Sequence, residues 1–257
     1  PLREVHPRIV RVVEGVRGSV PMGGRLNARF DYGKTAPWIS GESQTRSAGA
    51  GPETVQLRAS VPITVQGQAL ESGFTLGAGE SAWFVLSWHL SWEDPPPPID
   101  ASKAVAETDA WWRDWSGRST YRGAWKDVVE RSLITLKALT YEPTGGIVAA
   151  VTTSLPECLG GVRNWDYRFC WIRDAALALD ALMAAGYVAE ATQWRDWVIR
   201  AVAGDPEDLQ IMYGIGGERR LDEYELAWLP GYEGSAPVRV GNAASGQLQL
   251  DVYGELV

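Results

Sequence analysis

Positions 164 to 174 read Asn-Trp-Asp-Tyr-Arg-Phe-Cys-Trp-Ile-Arg-Asp, a run that gathers aromatic rings, arginines and carboxylates just ahead of an apolar helical stretch. Such a mixture suits a pyranose, whose flat C–H face stacks on an aromatic ring and whose rim of hydroxyls needs paired donors and acceptors. A buried polar group left without a partner costs about 1–3 kcal/mol, so the hydroxyls must be met individually. Trp165, Tyr167 and Trp171 can supply faces, while Arg173 and Asp174 can supply the rim. Each also has a plainer reading. The aromatics can be core anchors. Asp174 can cap the helix that follows it and gain from the helix dipole, and Arg173 can form an internal ion pair.

Other chemistry is poorly supported. Asp166 and Glu157 are loop carboxylates and therefore formal acid–base candidates, but no pairing is visible between them. His6 and His89 lie far from Cys158 and Cys170, with no recognised metal-ligand spacing, so no metal and no cofactor is expected. Ser154 has no neighbouring histidine and no nucleophile-elbow pattern. The glycines at 214, 216 and 217 lack the strand, spacing and lysine of a phosphate-binding loop.

The elements that must hold these residues change character along the chain. From Pro1 to about Trp92 the pattern is β-like, with short branched or aromatic runs at 9–13, 54–59, 63–66 and 82–88 separated by Gly, Ser and Pro clusters, as in a sandwich. The Pro95–Pro98 run removes backbone donors and favours a stiff spacer, which places a boundary there. A linking helix is expected over 101–115. A second helix follows, with Ala124, Trp125, Val128, Val129, Leu133, Leu136 and Leu139 forming one buried stripe. The stretch 175–185 is apolar nearly all round and ends at Gly186, which predicts an interior helix. The next helix, 188–202, is amphipathic, with Ala191, Trp194, Val198 and Ala201 inward and Glu190, Arg195 and Arg200 on other faces. Residues 204–242 read as a long functional loop. Beyond them, the alternation at 247–250 reads locally as strand, although Asn242 is a reasonable N-cap, and a final helix is the favoured reading.

Bulk properties narrow the partners. A chain of 257 residues can bury a substantial core and hold parts of two domains. Its formal net charge of −8 argues against a nucleic-acid surface, and no run is apolar enough to span a membrane. Two cysteines cannot build a disulfide scaffold, which favours a reducing, cytoplasmic setting. Both ends read as cut, with Pro1 in place of a methionine and no cap or breaker before Val257. Nothing in the sequence points to an oligomeric state.

With these residues in hand, the helical part resembles glycoside hydrolase family 15, in its bacterial glucoamylase-like and trehalase-like branch. The matching segments are 152–157, 163–175, 209–214, 229–235 and 237–242, within a stretch running from Tyr121 to Val257. Val151 stands where many relatives have proline. The resemblance implies a partial β-sandwich over 1–94, a linker and helix over 95–120, and the first part of an (α/α)6 toroid over 121–257. About 135 residues are too few to close twelve helices at ordinary lengths. It further implies that Arg173 and Asp174 bind hydroxyls of a terminal glucose with Trp171 against the sugar, and that Tyr167 helps hold the catalytic base or its water. Arg239 and the loop from Trp228 to Tyr232 would lie along the pocket rim, and Trp165 would also bind substrate.

The implied activity is hydrolysis of an α-glucoside, either a maltooligosaccharide or starch-derived glucan or trehalose, with inversion. That chemistry needs a carboxylic acid and a carboxylate roughly 6.5–9.5 Å apart. The family draws both glutamates from later loops of the toroid, so no catalytic residue is expected before Val257, and this chain alone is expected to be inactive. A non-catalytic carbohydrate-binding or regulatory protein on the same fold is the main rival reading. A phosphorylase or lyase on a toroid is disfavoured by the five matched segments.

Overall fold

The computed structural model describes residues 6–256, so the ends of the first and last expected segments, 1–5 and Val257, lie outside the described residues. These form two compact units, one up to Asp114 and one from Trp115 onward.

The first unit is built from antiparallel strands. They are β1 (Arg8–Glu14), β2 (Ser19–Leu26), β3 (Trp38–Glu42), β4 (Thr45–Ala50), β5 (Glu53–Ala59), β6 (Thr64–Gln66), β7 (Ala69–Gly77) and β8 (Ser81–Leu90). One sheet has the order β1-β8-β5-β4-β3 and the other β2-β7-β6. Ala59, Ile63 and Leu70 are buried between them with Leu26, Ile39, Leu57 and Phe84 packed around, and Phe74 and Phe84 meet at 5.7 Å. Along β5 and β8 both faces carry buried residues, Ala59 and Ala82 on the face toward the smaller sheet and Gln56, Val85, Ser87 and His89 on the other.

The four strands expected from β-branched and aromatic runs are present as β1, β5, β6 and β8. β2, β3, β4 and β7 are additional. Their Gly, Ser and Pro content reads as loop, yet each is paired along its length. Pro21 is tolerated because β2 lies at a sheet edge, where a missing donor breaks no ladder. β3 and β4 are joined by the two residues Ser43 and Gln44, with Ser43 at φ 47°.

The remaining elements are α1 (Ala101–Gly117), α2 (Lys126–Ala138), β9 (Cys170–Trp171), α3 (Ile172–Ala184), α4 (Val188–Ala201), β10 (Met212–Tyr213), β11 (Tyr224–Glu225), β12 (Arg239–Val240) and α5 (Asp251–Glu255). Within the second unit α3 packs against α2, α4 and α5. Its core gathers Trp171, Ile172, Leu179, Trp197, Met212 and Tyr213. β9 pairs with β10, and β11 pairs with β12. These short ladders order the long 204–242 segment.

Several helical expectations are corrected. The α2 stripe is buried only at Leu133, whereas Trp125 and Val128 are 71% and 63% exposed. α3 is not wholly interior, since Leu177 and Met183 lie exposed on one side. α3 starts at Ile172 after Trp171, so Asp174 sits in its first turn and is not the cap. Asn242 does cap, accepting a hydrogen bond from the Ala244 amide, but the element it starts is a 3-10 turn over Ala243–Gly246, and 247–250 is not helical.

Glu190, expected on an outer face, is buried. Its Oε1 accepts from Trp115 Nε1 at 2.8 Å and meets Lys137 Nζ at 3.1 Å. Burial, the largest single influence, pushes its carboxyl up. The hydrogen bonds from Trp115 and Lys137, with the Lys137 charge, outweigh it and hold the carboxyl below its ordinary range. Trp115 also stacks on Tyr187 at 4.2 Å, and the Tyr187 hydroxyl donates to the Trp115 carbonyl. Periodicity alone cannot anticipate a carboxylate drawn inward by partners on other helices.

Candidate functional site

The strand-to-helix junction at β9 and α3 arranges the residues that the sequence singles out. The Ile172 amide donates to the Ile211 carbonyl, and β9 pairs with β10, so Trp171 leaves the strand with only 7% exposure. In the first turn of α3, Arg173 and Asp174 reach the surface. Arg173 Nε and Nη2 donate to Asp174 Oδ1 at 3.2 and 3.1 Å, and both side chains remain a little over 40% exposed. A guanidinium locked against a carboxylate is a pre-organised fork, with donors and an acceptor held for a diol.

Tyr167 completes the cluster. Its ring meets that of Trp171 at 5.7 Å. Its phenol is pushed up from the ordinary tyrosine value, first by burial and then by the negative charges of Glu157 and Asp174. It therefore stays an O–H donor at physiological pH. Tyr167, Trp171, Arg173 and Asp174 thus form one neighbourhood, with a ring contact at one end and a charged fork at the other.

Arg173 has partners that local sequence reasoning did not find. Its Nη1 donates to Gln249 Oε1 at 3.3 Å and lies 3.5 Å from Asp251 Oδ2. No signal near position 173 points to residues 76 and 78 positions away.

Trp165 and Arg239 form a second pair. The Arg239 guanidinium lies 4.7 Å over the Trp165 ring, a cation–π contact. It also faces Glu223 and Glu225 and donates to the Val162 carbonyl. With its side chain 13% exposed, Arg239 braces the loop from within. Trp228 and Tyr232 stand on a separate turn after β11 and are 46% and 55% exposed.

The two loop carboxylates differ sharply. Glu157 pairs with Arg163 at the surface. Asp166 is fully buried: Oδ1 accepts from the Arg168 amide and Nε, and Oδ2 from Arg168 Nη2 and the Gly241 amide. The Asp166 carbonyl accepts from Asn242 Nδ2. Ser154, at φ 58°, ties in the adjoining Arg239, its Oγ accepting from the Arg239 amide at 2.7 Å. These are fastenings between the 153–174 and 239–242 segments.

Residues 123–257 match the model of glycosyl hydrolases family 15. The chain belongs to that family. This family-15 chain is 37% identical to a trehalase of Mycolicibacterium smegmatis over 97% of its own length and 39% of that relative. It is 34% identical to a trehalase of Thermoplasma volcanium over 98% of its length and 40% of the relative. Trehalase 1 of Sulfolobus acidocaldarius is 43% identical over 52% of the chain. The chain thus spans about two fifths of the first two relatives, and its likeness to them includes the β-sheet unit.

Proposed function

We propose that this chain supplies part of the glucose-binding pocket of an inverting exo-acting α-glucosidase built on an (α/α)6 toroid, with trehalose as its substrate. The observation that carries the reading is the Tyr167–Trp171–Arg173–Asp174 cluster at the start of α3, in a chain whose relatives are trehalases. Trp171 backs the sugar ring, and Arg173 and Asp174 hold adjacent hydroxyls. Tyr167 donates toward the water or carboxylate on the reacting face. Arg239 and Trp165 shape the rim as a braced pair, and Trp228 and Tyr232 border its outer side.

The acid and the base are glutamates outside residues 1–257, one protonating the glycosidic oxygen and one activating water from the opposite face. Asp166 cannot serve, because its oxygens are occupied. Inversion at α,α-trehalose releases one β- and one α-glucose. The test is glucose release by the intact enzyme from trehalose and from maltooligosaccharides, with the anomers followed by proton NMR. Trehalose should be cleaved with β-glucose appearing at the attacked sugar, and Asp174→Ala should lower kcat/KM roughly 10–100-fold. Turnover confined to maltooligosaccharides would move the substrate to a glucoamylase type. Sugar binding without turnover would instead support the non-catalytic reading.

A further inference from the structure

The outer face of the larger sheet carries a second polar groove, remote in sequence from the cluster on α3. Strand register places Trp38, Gly49, Thr54 and His89 opposite one another across β3, β4, β5 and β8. Two residues along, and so on the same face, lie Ser40, Ser47, Gln56 and Ser87. A groove of about 650 Å3 runs over the first row, lined by Trp38, Ser40, Ser47, Thr54 and His89, with Glu93 and Pro95 on one wall.

Its two ends have complementary chemistry. Trp38 is 82% exposed and offers an indole face at the sheet edge. At the inner end His89 is 4% exposed, and its Nδ1 lies 2.9 Å from the Leu90 carbonyl. A carbonyl can only accept, so Nδ1 carries a proton here and Nε2 is the ring's remaining polar atom. That Nε2 is buried and has no protein donor among the described residues, and the same holds for Gln56 Oε1 in the adjoining row. Buried polar atoms of this kind are normally met by a hydrogen-bond partner.

We propose that this groove binds a neutral oligosaccharide, one sugar ring stacking on Trp38 and a hydroxyl pairing with His89 Nε2. Serine and threonine hydroxyls along the floor meet the intervening rim. No lysine or arginine lines the groove and Glu93 stands on its wall, which disfavours anionic ligands. Trp38 and His89 are three strand-to-strand steps apart, about 14 Å, a span that favours a short chain of sugars over a single ring. The site lies wholly in the first unit and does not rest on the reading given for α3.

The test is a titration of the 257-residue chain with maltotriose, cellotriose and trehalose, with glucose for comparison, followed by two-dimensional NMR of the tryptophan indole N–H groups and the His89 ring. At least one oligosaccharide should shift the Trp38 and His89 signals saturably and more tightly than glucose does. Trp38→Ala, at a largely exposed position that folding does not need, should weaken that binding by about tenfold. Thr54→Val, which keeps shape and loses a hydroxyl, should weaken it to a lesser degree. Absence of shifts at Trp38 and His89 with all three sugars would overturn the proposal, as would shifts confined to Tyr167–Asp174 or wild-type affinity in Trp38→Ala.

Discussion

With four donors around its two oxygens and no exposure, Asp166 has its carboxylate acceptor capacity filled, and this makes it a clasp. Asp166→Asn keeps the shape but removes the charge and turns one acceptor into a donor aimed at donors. It should destabilise the second unit by about 2–3 kcal/mol, read from urea unfolding; an unchanged midpoint would remove the clasp. The cysteines give a second check at this scale. Burial, aided by the Glu218 charge, pushes the Cys170 thiol up to about 12, whereas Cys158 is exposed. At pH 8 an aromatic disulfide reagent should therefore titrate one thiol per native chain quickly, with the other reacting only on denaturation. Two fast thiols would mean that the β9–β10 cover opens readily.

Among elements, the joint between the end of α1 and helices α2 and α4 depends on Glu190. Its folded carboxyl lies below the ordinary range, near 4.3 for an unfolded glutamate. The stability it contributes is therefore fully present above about pH 4.3 and is lost as pH falls through the lower folded value. Glu190→Gln should cost about 3 kcal/mol at neutral pH, because it leaves the mostly buried Lys137 without its counter-charge. The variant should also lose this part of the acid-induced destabilisation, measured by thermal unfolding between about pH 3 and 7. A variant as acid-sensitive as the parent would assign that sensitivity elsewhere. Strand legibility follows the same logic of neighbours. β1, β5 and β8 announce themselves by branched and aromatic residues, whereas β3 and β4 are strands because of what lies beside them.

For the whole molecule, a net charge of −8 leaves little attraction for polyphosphates. The chain should leave a labelled DNA duplex unretarded even at about 50 mM salt, where electrostatic binding is strong; retardation would refute that reading. None of the described helices is long and apolar enough to cross a membrane. Similarity to trehalases over nearly the full chain means that the β-sheet unit and the helical unit recur together in those relatives.

The sequence by itself determined the change from strand period to helix period, the family, and the grouping of Tyr167, Trp171, Arg173 and Asp174. The first and last follow from spacing within a few residues, where chain connectivity fixes what can be neighbours, and the family follows from the resemblance of ordered segments between 152 and 242. Tertiary structure alone decided that Glu190 turns inward, that Arg239 lies over Trp165, that Asp251 approaches Arg173, and that Trp38 and His89 share a sheet face. Those contacts join positions far apart in the chain, and each depends on which element packs beside which, a choice that local patterning does not carry.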